Sequence, residues 1–119
     1  MSRSQKPKAS KRLLKRSEFL RVSAANRRAS TPAFVLQNLK SETSQTARYG
    51  LTATKKLGNA VIRNRARRRL RALAEKLLPA CAVPGDYVLI AREDALTRLM
   101  PEMEEDLKGA LRKLSCLKS

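Results

Sequence analysis

The sequence predicts one small α/β domain in which helices pack on a sheet, and three observations support this. Its 119 residues are about the size of a single domain. Its hydrophobic fraction of 42% is normal for a globular chain and argues against full disorder. Segments with the period of strands and segments with the period of helices alternate along the chain. Residues 13–116 are therefore expected to form the domain, after a flexible basic arm over residues 1–12.

The helix and strand signals follow one another in a definite order. The first helix has Ser17 as its predicted N-cap, Glu18 in its first turn, and the apolar residues Phe19, Leu20 and Val22. A Ser-Thr-Pro sequence then breaks the chain. Strands are predicted over residues 33–39, 48–55 and 86–92, and two further helices over residues 60–78 and about 100–115.

Proline, glycine and asparagine mark where these elements begin and end. Asn59 is the predicted cap of the second helix. Pro79 and the pair Pro84-Gly85 are expected to form the loop after that helix. The strand over residues 86–92 is almost continuously apolar, as expected for a central strand that is covered on both faces. The last helix has an apolar stripe of Met103, Leu107, Ala110, Leu111 and Leu114.

Positive charge is the abnormal feature of the composition. The chain has 27 Lys and Arg residues against 10 Asp and Glu residues, which gives a net charge of +17. Residues 1–74 hold 20 basic and 2 acidic residues, whereas residues 75–119 hold 7 basic and 8 acidic ones. Repulsion among these positive charges opposes compaction of the chain. Because the charge is nevertheless concentrated in one part of the molecule, it indicates an anionic partner.

The second predicted helix concentrates this charge. Residues 55–71 hold eight basic residues and no acidic residue. On a helical wheel the apolar stripe consists of Ile62, Ala66, Leu70, Leu73 and Leu77. Opposite it lie Asn64, Arg67, Arg68 and Arg71, with Arg63 and Arg65 on the flanks and Arg69 near the stripe, where it can reach a neighbouring element. Arginine forks bind phosphate oxygens in pairs, so nucleic-acid binding is favoured over a solvated face or a membrane-surface helix.

Protein-based catalysis has little support in the sequence. Histidine is absent, which removes the usual general base near neutral pH and the commonest metal ligand. The acidic residues at 102 and 104–106 begin a predicted helix, where they favour the helix dipole. Cys81 and Cys116 lack a metal-ligand spacing and are interpreted as reduced thiols of a cytoplasmic protein, with one disulfide as the alternative. No apolar run is long enough to span a bilayer, and the N-terminus resembles neither a secretory signal nor, more than weakly, a transit peptide.

The basic segment also resembles a known family. KKLGNAVIRNRARRRLR, residues 55–71, is similar to the signature of the bacterial ribonuclease P protein subunit, whose centre is an Arg-Asn-Arg triplet, here Arg63-Asn64-Arg65. Four further blocks match the family in order and spacing, and the resemblance covers roughly residues 11–114: LKRSEFLRV at 14–22, AFVLQ at 33–37, RYGLTATKK at 48–56 and DYVLIAR at 86–92.

The resemblance implies a non-catalytic subunit of a ribonucleoprotein endonuclease. In this family the RNA subunit removes the 5′ leader of precursor tRNA, and the protein binds both that RNA and the single-stranded leader. It also implies one protein per RNA and Mg²⁺ held mainly by the RNA subunit and the substrate. A ribosomal or other structural-RNA-binding protein is the alternative, and a protein-only nuclease is a third hypothesis. The third would need carboxylates in the basic face, and residues 43–74 contain none.

Site residues follow from the resemblance position by position. Contacts to the RNA subunit are implied for Lys55, Lys56, Asn59, Arg63, Asn64, Arg65, Arg67, Arg68 and Arg71. Contacts to the leader are implied for Phe19, Val35 and Gln37, although Phe19 also suits an ordinary core position. Ser23 and Gln37 stand where the family commonly has aromatic residues, so weaker stacking on the leader is expected.

The resemblance also specifies the fold. It implies a two-layer α/β (α+β) sandwich with helices packed on a small, central sheet, similar to the second domain of ribosomal protein S5. In this fold the strand–helix–strand crossover through the arginine-rich helix is left-handed, against the general right-handed rule.

Overall fold

A mixed five-stranded sheet forms the centre of the protein in a computed structural model that describes residues 11–13, 15–41 and 46–118. Its strands are β1 (Lys11–Arg12), β2 (Arg28–Ser30), β3 (Phe34–Lys40), β4 (Ala47–Thr52) and β5 (Gly85–Ala91), and its helices are α1 (Arg16–Ala24), α2 (Ala60–Cys81) and α3 (Met100–Lys113). Two short 3-10 helices, Lys55–Leu57 and Glu93–Leu96, follow β4 and β5.

The strand order β1-β4-β5-β3-β2 places β5 in the middle of the sheet. β5 pairs parallel with β4 and antiparallel with β3, which confirms its predicted central position. Because β4 and β5 are adjacent and parallel, α2 forms the crossover between them. The left-handed sense of that crossover stays a prediction.

Two apolar clusters hold helices to the two faces of the sheet. Alternate strand residues such as Phe34, Tyr49 and Leu89 pack with α2 and α3 in the larger cluster. The stripe predicted for α3 is confirmed, since Met103, Leu107, Ala110, Leu111 and Leu114 are all buried. Leu13, Val22 and Val88 form the smaller cluster, in which α1 packs on the opposite face. The predicted architecture of helices on a small central sheet is confirmed.

Element boundaries differ from the prediction in places where local chemistry was ambiguous. Lys15, not Ser17, is the N-cap of α1, because Glu18 reaches back and accepts a hydrogen bond from the Lys15 N–H at 3.1 Å. Helix α2 continues through Pro79 to Cys81. A proline in the last turn forfeits only one helical hydrogen bond, and the Leu78 carbonyl still accepts from Ala82 at 3.0 Å.

Two short edge strands had no sequence signal. Arg28–Ser30 lacks apolar alternation and becomes β2 only by pairing with β3. The predicted basic arm is wrong at its end, because Lys11 and Arg12 form β1 by pairing with β4. The rest of the predicted arm, residues 1–10, lies outside the described residues.

We expect two glycine-to-alanine substitutions to have opposite effects on stability. Gly85 has φ +151°, and a Cβ there would lie 2.9 Å from the Leu39 carbonyl oxygen, so Gly85→Ala should destabilise the protein by about 1–3 kcal/mol. Gly109 lies inside α3 with open space around its Cα, so Gly109→Ala should stabilise it by about 0.5–1 kcal/mol. Urea unfolding measures both. Equal effects of the two substitutions would show that backbone conformation at Gly85 is not restrictive.

Candidate nucleic-acid interface

Helix α2 begins at a defined break in the chain. Gly58, with φ +150°, separates the 3-10 helix Lys55–Leu57 from α2. The Asn59 side-chain oxygen accepts a hydrogen bond from the Ile62 N–H at 3.0 Å, which confirms Asn59 as the cap. That oxygen is therefore committed to the helix, whereas the amide NH₂ of Asn59 remains a donor for a ligand.

The exposed face of α2 carries most of the basic residues implied by the resemblance. Asn64, Arg65 and Arg68 are exposed, and Arg67 is half-buried and donates to the Asn64 side-chain oxygen at 2.9 Å. Lys55 and Lys56, just before the helix, are also exposed. These side chains are thus exposed or partly exposed along the first half of α2 and the segment just before it.

In the described residues, the arginines of this surface form no ion pairs. Across the described ranges 11–13, 15–41 and 46–118, no ion pair includes an arginine of the 63–71 segment. The Nε atoms of Arg63 and Arg71 are buried and have no hydrogen-bond partner in this part of the chain. Arg63 and Arg71 therefore each carry one buried donor that the described protein does not satisfy, which is costly.

Arg69 differs from its neighbours because the protein itself uses its guanidinium. Its two terminal nitrogens donate to the carbonyl oxygens of Ala95 and Arg98, both at 2.7 Å. These bonds fasten α2 to the chain just before α3, which confirms the prediction that Arg69 reaches a neighbouring element. Arg69 is therefore a structural residue and does not belong to the exposed set.

Helix α1 is fixed over the other face of the sheet by a close fit at Gly50. A Cβ on Gly50 would lie 2.5 Å from two ring atoms of Phe19, so only glycine admits the ring at this distance. Phe19 packs on the smaller cluster and is half-buried. Gln37 is only 5% exposed, so this implied leader contact is covered, and Val35 is half-buried.

An arginine tether completes the attachment of α1. Arg48 donates to both carboxylate oxygens of Asp86 at 2.9 Å and to Glu18 of α1 at 3.0 Å. The hydrogen bonds that Arg48 donates to Asp86, and then to Glu18, raise the pKa of Arg48 above its ordinary value. This role was not predicted from the sequence. Its only signals there are Glu18 in the first turn of α1 and Arg48 in a predicted strand.

Beyond α1 the sheet presents a row of open side chains. Val35 pairs across the strands with Ile90, and Ile90 pairs with Thr52. All three are half-buried, so a flat surface of mixed polarity remains accessible beside α1. We call this row the open face.

The basic surface also extends to a residue without a motif, Arg12. Its guanidinium lies 6.0 Å from the centre of the Tyr49 ring, at the edge of the sheet. The Tyr49 hydroxyl donates to Glu75 at 2.6 Å, and burial together with this bond raises the pKa of Tyr49. The charges of Arg12 and Arg71 act in the opposite direction on the pKa of this phenol.

Other kinds of functional site have little support in the described residues. They contain no group of three or more His, Cys, Asp or Glu side chains that could hold a metal ion. Cys81 and Cys116 are free thiols, as expected, and Cys116 is buried. No helix in this part of the chain is long and apolar enough to cross a membrane.

This small α/β domain has an arginine-rich helix beside an open sheet face, and in the described residues the arginines of the 63–71 segment form no ion pairs. These features together identify the class of the chain as a nucleic-acid-binding protein. The profile of the ribonuclease P family matches residues 8–115. Ribonuclease P protein components of Paramagnetospirillum magneticum and Gluconacetobacter diazotrophicus are 41% and 46% identical to the chain, covering 89% and 86% of it and 84% and 89% of themselves. The solved structure of the Staphylococcus aureus RNase P protein matches with a TM-score of 0.74 at 25% identity, covering 92% of this chain and 99% of that one. The chain belongs to the ribonuclease P protein family.

The contact between Phe19 and Gly50 should appear as an energetic coupling. Gly50→Ala is expected to destabilise the protein by about 1–3 kcal/mol, because the new methyl group overlaps the ring. In the background of Phe19→Ala the same change should cost much less, since the overlap is gone. A double-mutant cycle by urea unfolding measures the coupling. Additive costs would show that the ring is not held against Gly50.

Proposed function

We propose that this protein is the non-catalytic subunit of ribonuclease P and binds its RNA subunit through the start of α2. The observation that carries this is the arginine face, whose charges have no carboxylate partners in the described chain. The proposed RNA contacts are Lys55, Lys56, Asn59, Arg63, Asn64, Arg65, Arg67, Arg68 and Arg71. Arginine suits this role because its planar fork pairs with phosphate oxygens and its charge persists at any physiological pH.

The leader of precursor tRNA is proposed to lie on the open face. Val35 keeps the role implied by the resemblance, and Thr52 and Ile90 extend the surface across two further strands. Phe19 contributes the exposed part of its ring at the border of α1. Gln37 is proposed to support this surface from beneath and not to contact the leader, because its side chain is buried.

Catalysis in this proposal belongs to the RNA subunit, with one protein per RNA, in the cytoplasm. The chain has no histidine, and residues 43–74, which include the basic face, contain no carboxylate. The protein therefore offers the cleavage site positive charge and positioning, whereas Mg²⁺ is bound mainly by RNA and substrate phosphates. By neutralising phosphates nearby, the arginine face lowers the repulsion that otherwise opposes the approach of substrate RNA.

Replacing single arginines should change the salt dependence of binding to the RNA subunit. For Arg68→Ala we expect weaker binding and a slope of log K against log salt that is smaller by roughly one unit, the loss of one phosphate contact. Arg112→Ala is the matched control, because Arg112 is an exposed arginine on α3, outside the proposed interface. An unchanged slope for Arg68→Ala would remove Arg68 from the interface.

A cleavage assay of precursor tRNA at low Mg²⁺ tests the function as a whole. Protein alone and RNA subunit alone should be poorly active, and the combination should cleave efficiently, because the protein assists substrate binding and the uptake of magnesium. If the protein binds RNA and leaves cleavage unchanged, a ribosomal or structural-RNA role replaces the proposal. Hydrolysis by the protein alone would instead assign the chemistry to the protein.

A further inference from the structure

Val61 is a hydrophobic residue that the described protein leaves uncovered. It lies in the first turn of α2 and is 76% exposed. Only two other large hydrophobic residues of the described chain are exposed, Leu20 at 54% and Leu99 at 62%. Single exposed hydrophobic residues are common on protein surfaces, so exposure alone assigns no role to Val61. Its position among polar neighbours on the helix is the informative feature.

Val61 shares the outward side of α2 with three of the proposed RNA contacts. Residues that are three, four and seven positions apart lie on one side of a helix, and Asn64, Arg65 and Arg68 stand at these separations from Val61. All four residues are exposed. We call this row of Val61, Asn64, Arg65 and Arg68 the outer stripe.

The polar members of the outer stripe offer donors to a partner. The side-chain oxygen of Asn64 accepts a hydrogen bond from Arg67 at 2.9 Å, which leaves the Asn64 amide group to donate outward. Arg65 and Arg68 carry donors and no acceptor, and they form no ion pair in the described residues. A partner that fits the stripe therefore supplies acceptors and negative charge, together with an apolar surface for Val61.

The fold itself gives no reason for a valine at this position. Valine is a weaker helix former than alanine, because its branched Cβ loses rotamer freedom in a helix. Neither hydrophobic cluster of the described residues includes Val61, so packing does not offset this cost.

A nucleotide combines the three kinds of group that the outer stripe requires. It carries a charged phosphate, hydroxyl and base acceptors, and the apolar faces of its sugar and base. The Cβ atoms of residues four apart on a helix are about 5–6 Å apart. One nucleotide can therefore place its phosphate at Arg65 and its sugar or base at Val61.

We propose that Val61 packs against the apolar side of a nucleotide of the RNA subunit and gives binding a component that does not depend on salt. Arg65 and Arg68 hold the neighbouring phosphates, and the Asn64 amide donates to an oxygen of the same RNA segment. This inference rests on the proposed function, which assigns the RNA subunit to α2. The two kinds of contact respond differently to salt, because only a phosphate contact releases counterions.

The test measures binding of Val61→Ala to the RNA subunit over a series of salt concentrations. We expect about five- to tenfold weaker binding at every salt concentration, with an unchanged slope of log K against log salt, because two methyl groups lose their contact with the RNA. Val61→Thr, which keeps the shape and replaces one methyl group by a hydroxyl, should bind with an intermediate affinity. Urea unfolding should show no loss of stability for Val61→Ala, since alanine is the better helix former.

Leu20→Ala is the matched control, because it shortens an exposed hydrophobic residue of α1, which packs on the other face of the sheet. It should bind the RNA subunit as the wild type does. Wild-type affinity of Val61→Ala would overturn the inference, and so would a changed slope, since Val61 would then act through the arginines. Arg68→Ala separates this inference from the function beneath it. If Arg68→Ala weakens binding and Val61→Ala does not, only the role of Val61 fails; if neither variant changes binding, the proposed interface on α2 fails as well.

Discussion

Helix α2 has to bury one face and hold like charges on the other, and the rest of the protein depends on that combination. Repulsion between arginines four residues apart costs about 0.2–0.5 kcal/mol per pair. Burial of Leu70, Leu73 and Leu77 contributes about 1.5–3 kcal/mol for each side chain. The apolar stripe therefore outweighs the repulsion, and the sheet holds the arginines in fixed positions that an isolated helix of this sequence would not maintain.

Arginines serve two purposes in this molecule, and their partners distinguish them. Arg48 and Arg69 have their guanidiniums engaged by carboxylates or carbonyls, and they fasten α1 and α2 in place. Arg65 and Arg68 are exposed and outside every ion pair in the described segments. Composition counts all four alike. Only the three-dimensional arrangement shows which guanidiniums bind groups within the protein and which are available to a polyanion.

The sequence predicted the central strand, the cap at Asn59 and the buried stripe of α3, because each depends on a local period or a single capping residue. It did not predict β1 and β2, since two- and three-residue edge strands form only by pairing with a neighbour. For the candidate site, charge and helical periodicity predicted the arginine-rich helix, and the resemblance supplied the assignment of its residues to the RNA subunit. The burial of Gln37 and the contact between Phe19 and Gly50 depend on how α1 crosses the sheet, which no periodicity contains.

The segregation of charge along the chain has a structural counterpart. Acids of the second half pair with isolated cations, as Asp106 does with Arg98 at 2.6 Å and Glu104 with Lys76 at 2.7 Å. These pairs lie around α3 and the far end of α2, so Glu104 and Asp106 are paired at a distance from residues 55–71. A surface ion pair adds little stability, about 0–1 kcal/mol. Its larger effect here is on the electrostatic field, because acids that are paired around α3 reduce the attraction for phosphates at the start of α2 less than acids beside it would.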